Sequence, residues 1–328
     1  MKDIKYKVGT VEASEQLIVD LYLDLRKKMN MWASITHQTA QARMGYIGQH
    51  LVSVVTGYVG GKSGARGKDL ILGNDEYAEI KTCYRIDQLG KCNACNAVVA
   101  SIETECSKCS STNIKRNDDS KWLISIQNDV EFEDILSPKY YYLVLFDFLD
   151  LKLADKIRAS IWQVETAAPG FALCMADYYL NIRSKSKSKA PFNLWPFQLK
   201  FELMRPLLIY RSYIDSNKVE TVLFPGKHEP ELQHLKQLKE YSRSKNLTKE
   251  KLIHFSCNLG LTQNLAALNK NKIIEILDEH INSRSIDCAL LADSLAKAIY
   301  TSGLQANAAI LPIKIAKQIN TKLEPHYS

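Results

Sequence analysis

The sequence predicts a mixed α/β protein: a central sheet flanked by helices, interrupted by a small cysteine-rich insertion and followed by a helical region. Three observations predict it. Apolar residues recur at helical spacing over 13–29 and 40–59, and runs of strand length follow at 70–82, 140–149 and 157–164. Four cysteines stand between those strands as two Cys-x2-Cys pairs, and helix-forming composition takes over after Lys227. A chain of 328 residues has room for two domains or one large core with an appendage. We place the sheet in 1–227, the insertion at 87–117 and the helical domain in 228–328.

An apolar share of 46% and a charged share of 24% are those of an ordinary soluble protein. The net charge of +7 permits a nucleic-acid partner without requiring one. The first residues lack the apolar core of a signal peptide, and the best apolar run, Tyr140 to Leu149, is too short to span a bilayer and contains Asp147. A soluble, cytoplasmic protein with no membrane partner is expected. Cys83, Cys174, Cys257 and Cys288 are scattered, which is reducing-compartment usage rather than a disulfide framework.

In chain order, Leu17, Ile18, Leu21, Leu25 and Met29 form one face of a first helix, with Ser14 as its cap. Met44, Ile47, Leu51, Val54 and Val55 line a second, which ends at Gly57. The glycine-rich stretch that follows, with Lys62-Ser63, invites a nucleotide phosphate loop. The spacing rejects it: Thr56 stands where that pattern needs glycine, and no helix follows the Lys-Ser pair. Gly60, Gly61, Gly64 and Gly67 with Lys62, Arg66 and Lys68 suit a flexible backbone near nucleic-acid phosphates, or a solvated basic loop.

Asp69 opens a short apolar run, Leu72 to Asp75 supplies turn residues, and Tyr77 to Thr82 alternates. Tyr77, Glu79 and Lys81 share one face of this second run, and Ala78, Ile80 and Thr82 the other. A hairpin therefore converges two carboxylates and an amine. Phosphodiester hydrolysis needs such a set: a divalent cation neutralises charge and activates water, and an ammonium steadies the charge that develops. Carboxylate oxygens suit Mg²⁺. Asp69 and Glu79 would hold it, with the Ile80 carbonyl as a third ligand, and Lys81 would orient the attacking water or stabilise charge at the phosphate. Glu79-Ile80-Lys81 is the chain's one Glu-x-Lys triplet; Asp147 with Asp150-Leu151-Lys152 is a rival, but lacks an upstream hairpin and suits a buried strand end.

The pattern Asp-x9-Glu-x-Lys resembles the signature of the PD-(D/E)XK nuclease superfamily, to which many type II restriction endonucleases belong. Lys68 stands where that signature has proline. The resemblance covers the nuclease-like part of the chain and implies a restriction-endonuclease-like fold. It also implies Mg²⁺-dependent cleavage of double-stranded DNA at a short specific site, a homodimer with one active centre per strand, and a companion DNA methyltransferase. In such nucleases the helix before the aspartate often brings a further acidic or amide group to the metal; Gln49, beside His50, is the residue so placed here.

Cys92-x2-Cys95 and Cys106-x2-Cys109 can close a tetrahedron of thiolates around Zn²⁺, leaving no open position for catalysis. Such a zinc is structural and can supply ~10–16 kcal/mol to folding a small module. The module resembles a zinc ribbon ending near Arg116 to Asp119, a clamp on DNA through Lys91, Lys108, Lys115 and Arg116. Tyr140 to Phe148, apolar on both faces, is a buried central strand, and Ile157 to Val164 alternates as another. Arg183, Lys185, Lys187 and Lys189 alternate with small polar residues, a mobile segment that orders on phosphates or a solvated loop.

Trp195, Phe197, Phe201 and Tyr210 accompany Gln198, Lys200 and Arg205, as core aromatics or with the polar groups reaching base edges. Thr248 caps a helix lined by Leu252, Ile253, Phe255 and Leu259; a turn at Gly260 and a helix over 264–272 make a helix-turn-helix or a plain helical hairpin. Helices at 288–301 and 311–323 pack this domain or bury a dimer surface. Two other readings stay open: a zinc-ribbon DNA-binding protein without catalysis, and a repair or structure-selective nuclease.

Overall fold

The computed structural model describes residues 6–38, 42–61, 68–84, 90–99, 104–116, 121–149, 156–195, 198–232, 247–284 and 286–304. In chain order the first elements are α1 (Val11–Ile18), a π-helical turn (Val19–Asp24), α2 (Leu25–Thr36), α3 (Met44–Thr56), β1 (Val59–Gly60), β2 (Leu70–Gly73) and β3 (Glu76–Tyr84). Three short strands follow, β4 (Gly90–Cys92), β5 (Val98–Val99) and β6 (Ile114–Lys115), then β7 (Trp122–Ile124), α4 (Asp129–Leu136), β8 (Tyr140–Phe148) and β9 (Lys156–Glu165). Next come α5 (Pro169–Asp177), a second π-helical turn (Tyr178–Arg183), β10 (Phe192–Leu194), α6 (Leu199–Leu203), β11 (Leu207–Asp215), β12 (Lys218–Leu223) and β13 (Glu231–Leu232). Helices Lys249–Asn258, Lys270–Ser283 and Cys288–Leu304 complete the described chain.

These elements divide into two units that interleave along the sequence. The first takes residues 1–122, 140–163 and 208–231, and the second 123–139, 164–207 and 232 onward.

The first unit holds a mixed sheet whose strands lie in the order β1-β2-β3-β8-β9-β11-β12, with β13 paired to β11. β3 and β8 are parallel neighbours, with Glu79 level with Tyr141 and Lys81 with Leu143. β8 is buried from Tyr141 to Asp147, as its uninterrupted apolar run requires. Its Asp147 is ion-paired to Arg158 on β9 at 3.2 Å; Asp150, Leu151 and Lys152 lie outside the described residues. Trp122 anchors here too, donating from Nε1 to the Val144 carbonyl at 2.8 Å and meeting Trp162 edge-on.

The first helix is capped by Thr10 rather than Ser14. Thr10 has the extended backbone a cap needs and accepts from the Ala13 N–H, whereas Ser14 is buried inside the helix and donates to the Val11 carbonyl. α3 lies against β3 through Gly48. A Cβ at Gly48 would stand 2.0 Å from Thr82 Oγ1, so the close approach depends on its absence. Gly48→Ala is expected to cost about 1–3 kcal/mol, the usual penalty of overpacking, read as a lower urea midpoint, and Thr82→Ala in the same chain should restore part of it.

Within the second unit, Asn128 caps α4 by accepting from the Glu131 N–H. α5 is buried on every side from Gly170 to Ala176 and packs against α6 and the helix Cys288–Leu304. Arg205 is held by Asp293 at 3.1 Å and Glu165 at 3.9 Å, and Phe201 is fully buried, so both belong to the packing of this unit. Thr248 caps its helix as expected. The next helix begins at Lys270, capped by Asn269, and not at Asn264. The connection from Leu259 to Asn269 is far longer than the ~3–4-residue turn of a helix-turn-helix, so the helical-hairpin reading is the one that fits. Phe197 and residues 311–323 lie outside the described residues.

Candidate active site and metal centre

β2 and β3 pair antiparallel with Leu70 opposite Ala78 and Ile71 opposite Tyr77. The turn between them is Asn74-Asp75, one residue later than the sequence suggests. Both have positive φ, 51° and 61°, as a tight hairpin of right-handed twist demands. Continuing this register sets Asp69 beside Glu79. Glu79 and Lys81 alternate outward from Ala78 and Ile80, which are buried, so the residues singled out from the sequence meet.

Asp69 is fixed from two directions: Gln49 Nε2 on α3 donates to Oδ1 at 2.8 Å, and the Ile80 N–H donates to Oδ2 at 2.8 Å. Ile80 thus enters through its N–H. Lys81 Nζ donates to Glu79 Oε1 at 2.6 Å, with the two side chains 31% and 15% exposed. Glu79 Oε2 is buried, with no hydrogen-bond partner among the described residues. His50, next to Gln49, is exposed. The Gly48–Thr82 approach that seats α3 here has no signal in the sequence beyond a glycine in the middle of a helical pattern.

Burial pushes the Glu79 carboxyl above the ordinary glutamate value; Lys81 opposes this, and the neighbouring Asp69 charge adds to it. A buried carboxylate oxygen with no donor, beside a second carboxylate, calls for a cation or a proton. Residues Asp69 and Glu79 therefore fit a hard divalent ion such as Mg²⁺. Glu79 binds its proton more tightly folded than unfolded, so without added magnesium, stability falls as pH rises from the ordinary carboxylate range through the raised value. Melting temperature against pH should show this slope, and Glu79→Gln should flatten it.

Cys92, Cys95, Cys106 and Cys109 bring their sulfurs within 4.8 Å of one another. The two knuckles repeat one hydrogen-bond pattern. Asn96 N donates to the Cys92 carbonyl and Cys92 N to Ala97; Ser110 N donates to the Cys106 carbonyl and Cys106 N to Ser111. Asn96 and Ser110 both take positive φ, 61° and 53°, which turns each chain end back under the sulfurs. The Cys92–Cys109 and Cys95–Cys106 separations are 3.6 and 3.5 Å, near the ~3.8 Å edge of a tetrahedron with ~2.3 Å Zn–S bonds and well beyond a ~2.05 Å disulfide. Backbone N–H groups of Cys95 and Ala94 aimed at Cys92 pull its thiol down, while the neighbouring thiols Cys95 and Cys92 push Cys109 up, so the cluster holds thiolate and thiol side by side until a metal binds. β4 is central in this module, between β5 and β6, and its small core is Cys92, Val99 and Cys106.

The remaining cations of interest are dispersed. Lys68 is exposed, its Nζ 5.2 Å from the Tyr77 ring centroid, and Gly60 belongs to β1, paired with Leu70, rather than to a free loop. Lys62 and Arg66 lie outside the described residues. Lys185, Lys187 and Lys189 are exposed on the second unit.

A mixed sheet with two carboxylates and a lysine converging on one hairpin, followed in the chain by a four-thiol module, has the make-up of a nuclease. Comparison with known families gives the same class. Residues 31–239 match the MamI restriction endonuclease family, and the chain belongs to that family: it is a restriction endonuclease, and DNA is its substrate. This decides for an enzyme over a non-catalytic binding module. No curated protein and no solved structure matches the chain. Among the described residues, no helix is long and apolar enough to cross a membrane.

Proposed function

We propose that this protein is a type II restriction endonuclease of the PD-(D/E)XK kind, hydrolysing phosphodiester bonds in double-stranded DNA at a short specific site with Mg²⁺. The observation that carries the reading is the grouping of Asp69, Glu79 and Lys81, with one buried Glu79 oxygen unpartnered. Asp69 and Glu79 would hold the ion, the Ile80 carbonyl would join them, and Gln49 would act beside them. Bound there, Mg²⁺ supplies neutralisation of phosphate charge and activation of water. The chain's own contribution is positional. Gln49 and the Ile80 N–H lock the Asp69 carboxylate before substrate arrives, and Lys81 carries an ammonium to the charge that develops at the scissile phosphate.

Zn²⁺ would sit in the four-cysteine module as a structural ion. Cutting both strands of a duplex requires two such centres, which a homodimer supplies, and a companion methyltransferase would protect the host's own sites. Residues 1–227 would carry catalysis, and the helices beyond them recognition or dimer contact. Lys62, Arg66, Lys68, Lys185, Lys187 and Lys189 would meet DNA phosphates. Purified protein incubated with plasmid DNA should give discrete fragments with Mg²⁺ and none without it; unspecific degradation, or cutting that ignores magnesium, would overturn this reading.

A further inference from the structure

The stretch 183–190 reads Arg-Ser-Lys-Ser-Lys-Ser-Lys-Ala, a composition that by itself suggests a loose, solvated segment. Its hydrogen bonds say otherwise. Ser186 Oγ accepts from the Ser188 N–H at 3.1 Å, and Ser188 Oγ accepts from the Ala190 N–H at 3.1 Å. Ser184 turns its hydroxyl back to the Leu180 carbonyl. Each serine thus serves the backbone, and the alternating lysines are left facing water.

The carbonyls are held by the loop's first residue and by side chains outside it. Arg183 Nη1 donates to the Ser186 carbonyl at 3.0 Å, and the Tyr178 hydroxyl to the Ala190 carbonyl at 3.0 Å. Gln127 joins both ends. Its Oε1 accepts from Arg183 Nη2 at 2.7 Å, and its Nε2 donates to the Lys189 carbonyl at 3.2 Å. The base is braced in turn by the Tyr179 hydroxyl on Asp129 and by the Phe132–Tyr179 ring stack. Lys185, Lys187 and Lys189 are exposed, and none has a carboxylate partner among the described residues.

Three unpaired ammonium groups at every second residue of a shaped loop match a linear polyanion. We propose that the 183–190 loop is a preformed contact for the phosphodiester backbone of duplex DNA, and that Gln127 is the positioning residue that sets its shape. This rests on the lysines meeting DNA, as proposed above, and adds that the loop is ordered before DNA arrives, so that binding does not bear the entropy of ordering it.

The test is duplex binding by the full chain without added Mg²⁺, measured over a series of salt concentrations, together with trypsin nicking at the loop lysines. Replacing Lys185, Lys187 and Lys189 by alanine should lower the salt slope by about three, at ~0.9 per phosphate contact. Gln127→Ala leaves those three charges in place, so it should weaken binding about tenfold, the cost of ordering one or two residues, at an unchanged slope and with faster nicking. Ser186→Ala with Ser188→Ala loosens the loop from within and should act in the same direction, which keeps the test valid if Gln127→Ala disturbs folding. A lysine variant with an unaltered slope means that the loop does not touch DNA, and both ideas fall. Normal affinity in the Gln127 and serine variants beside a reduced slope in the lysine variant removes the preordering while leaving the lysine contacts standing.

Discussion

Glu79→Ala is expected to lower DNA cleavage by about 10³-fold or more while DNA affinity in the absence of magnesium stays within a few-fold. The size follows from the several kcal/mol of transition-state charge stabilisation that a metal supplies, at ~1.36 kcal/mol per tenfold in rate. The selectivity follows from the site. Glu79 has one oxygen on Lys81 and one buried without a partner among the described residues, so alanine removes a proposed metal ligand and its contact with Lys81. Removing a half-buried carboxylate that burial already disfavours should not weaken the fold. Lys81→Ala should likewise act on the rate rather than on binding. Single-turnover cleavage beside a binding isotherm separates the two quantities, and wild-type cutting by the Glu79 variant would refute the site.

Cys92→Ser is expected to release one equivalent of zinc and to unfold the module formed by β4, β5 and β6. Among the described residues, its core apart from the thiols is little more than Val99, Ala97 and Ile114, too little apolar surface to fold a three-stranded module of very short strands. The metal would replace that missing core with ~10–16 kcal/mol. Serine keeps the volume of cysteine but not the soft thiolate. The main sheet has a separate core, including Tyr22, Tyr84 and Phe146 with ring centroids 6.0 Å apart, so its melting transition should persist while proteolysis removes the module. Metal analysis gives the answer: zinc content equal to that of the unmutated protein would exclude a four-thiolate site.

The grouping of two carboxylates and a lysine was legible because it is short-range. Asp69, Glu79 and Lys81 fall within one hairpin, and period-two alternation fixes which side chains share a face, even though the turn itself lies one residue beyond the Gly73-Asn74 pair that the sequence suggests. The four cysteines were legible for the same reason. The hairpin β11–β12 was missed: Tyr210, Ser212 and Ile214 are buried in alternation, but Leu208, Ile209 and Tyr210 are buried in a row, which blurs the period of two. α5 was missed because a helix buried all round shows no amphipathic period. The contacts of the 183–190 loop were not legible: its composition is that of a mobile segment or a solvated loop, and Gln127, which hydrogen-bonds both of its ends, stands 56 residues before Arg183 and 62 before Lys189.

By itself the sequence determined the two local devices, a carboxylate-bearing hairpin and a pair of thiol knuckles, since neighbours close in the chain are placed by backbone geometry alone. Tertiary structure alone decided that Gln49 reaches Asp69 across 20 residues, that Glu79 is half-buried beside it, and that Gln127 closes the basic loop. Contacts of that range depend on which surfaces pack together, and packing is settled by the burial of the whole core rather than by any one stretch of chain.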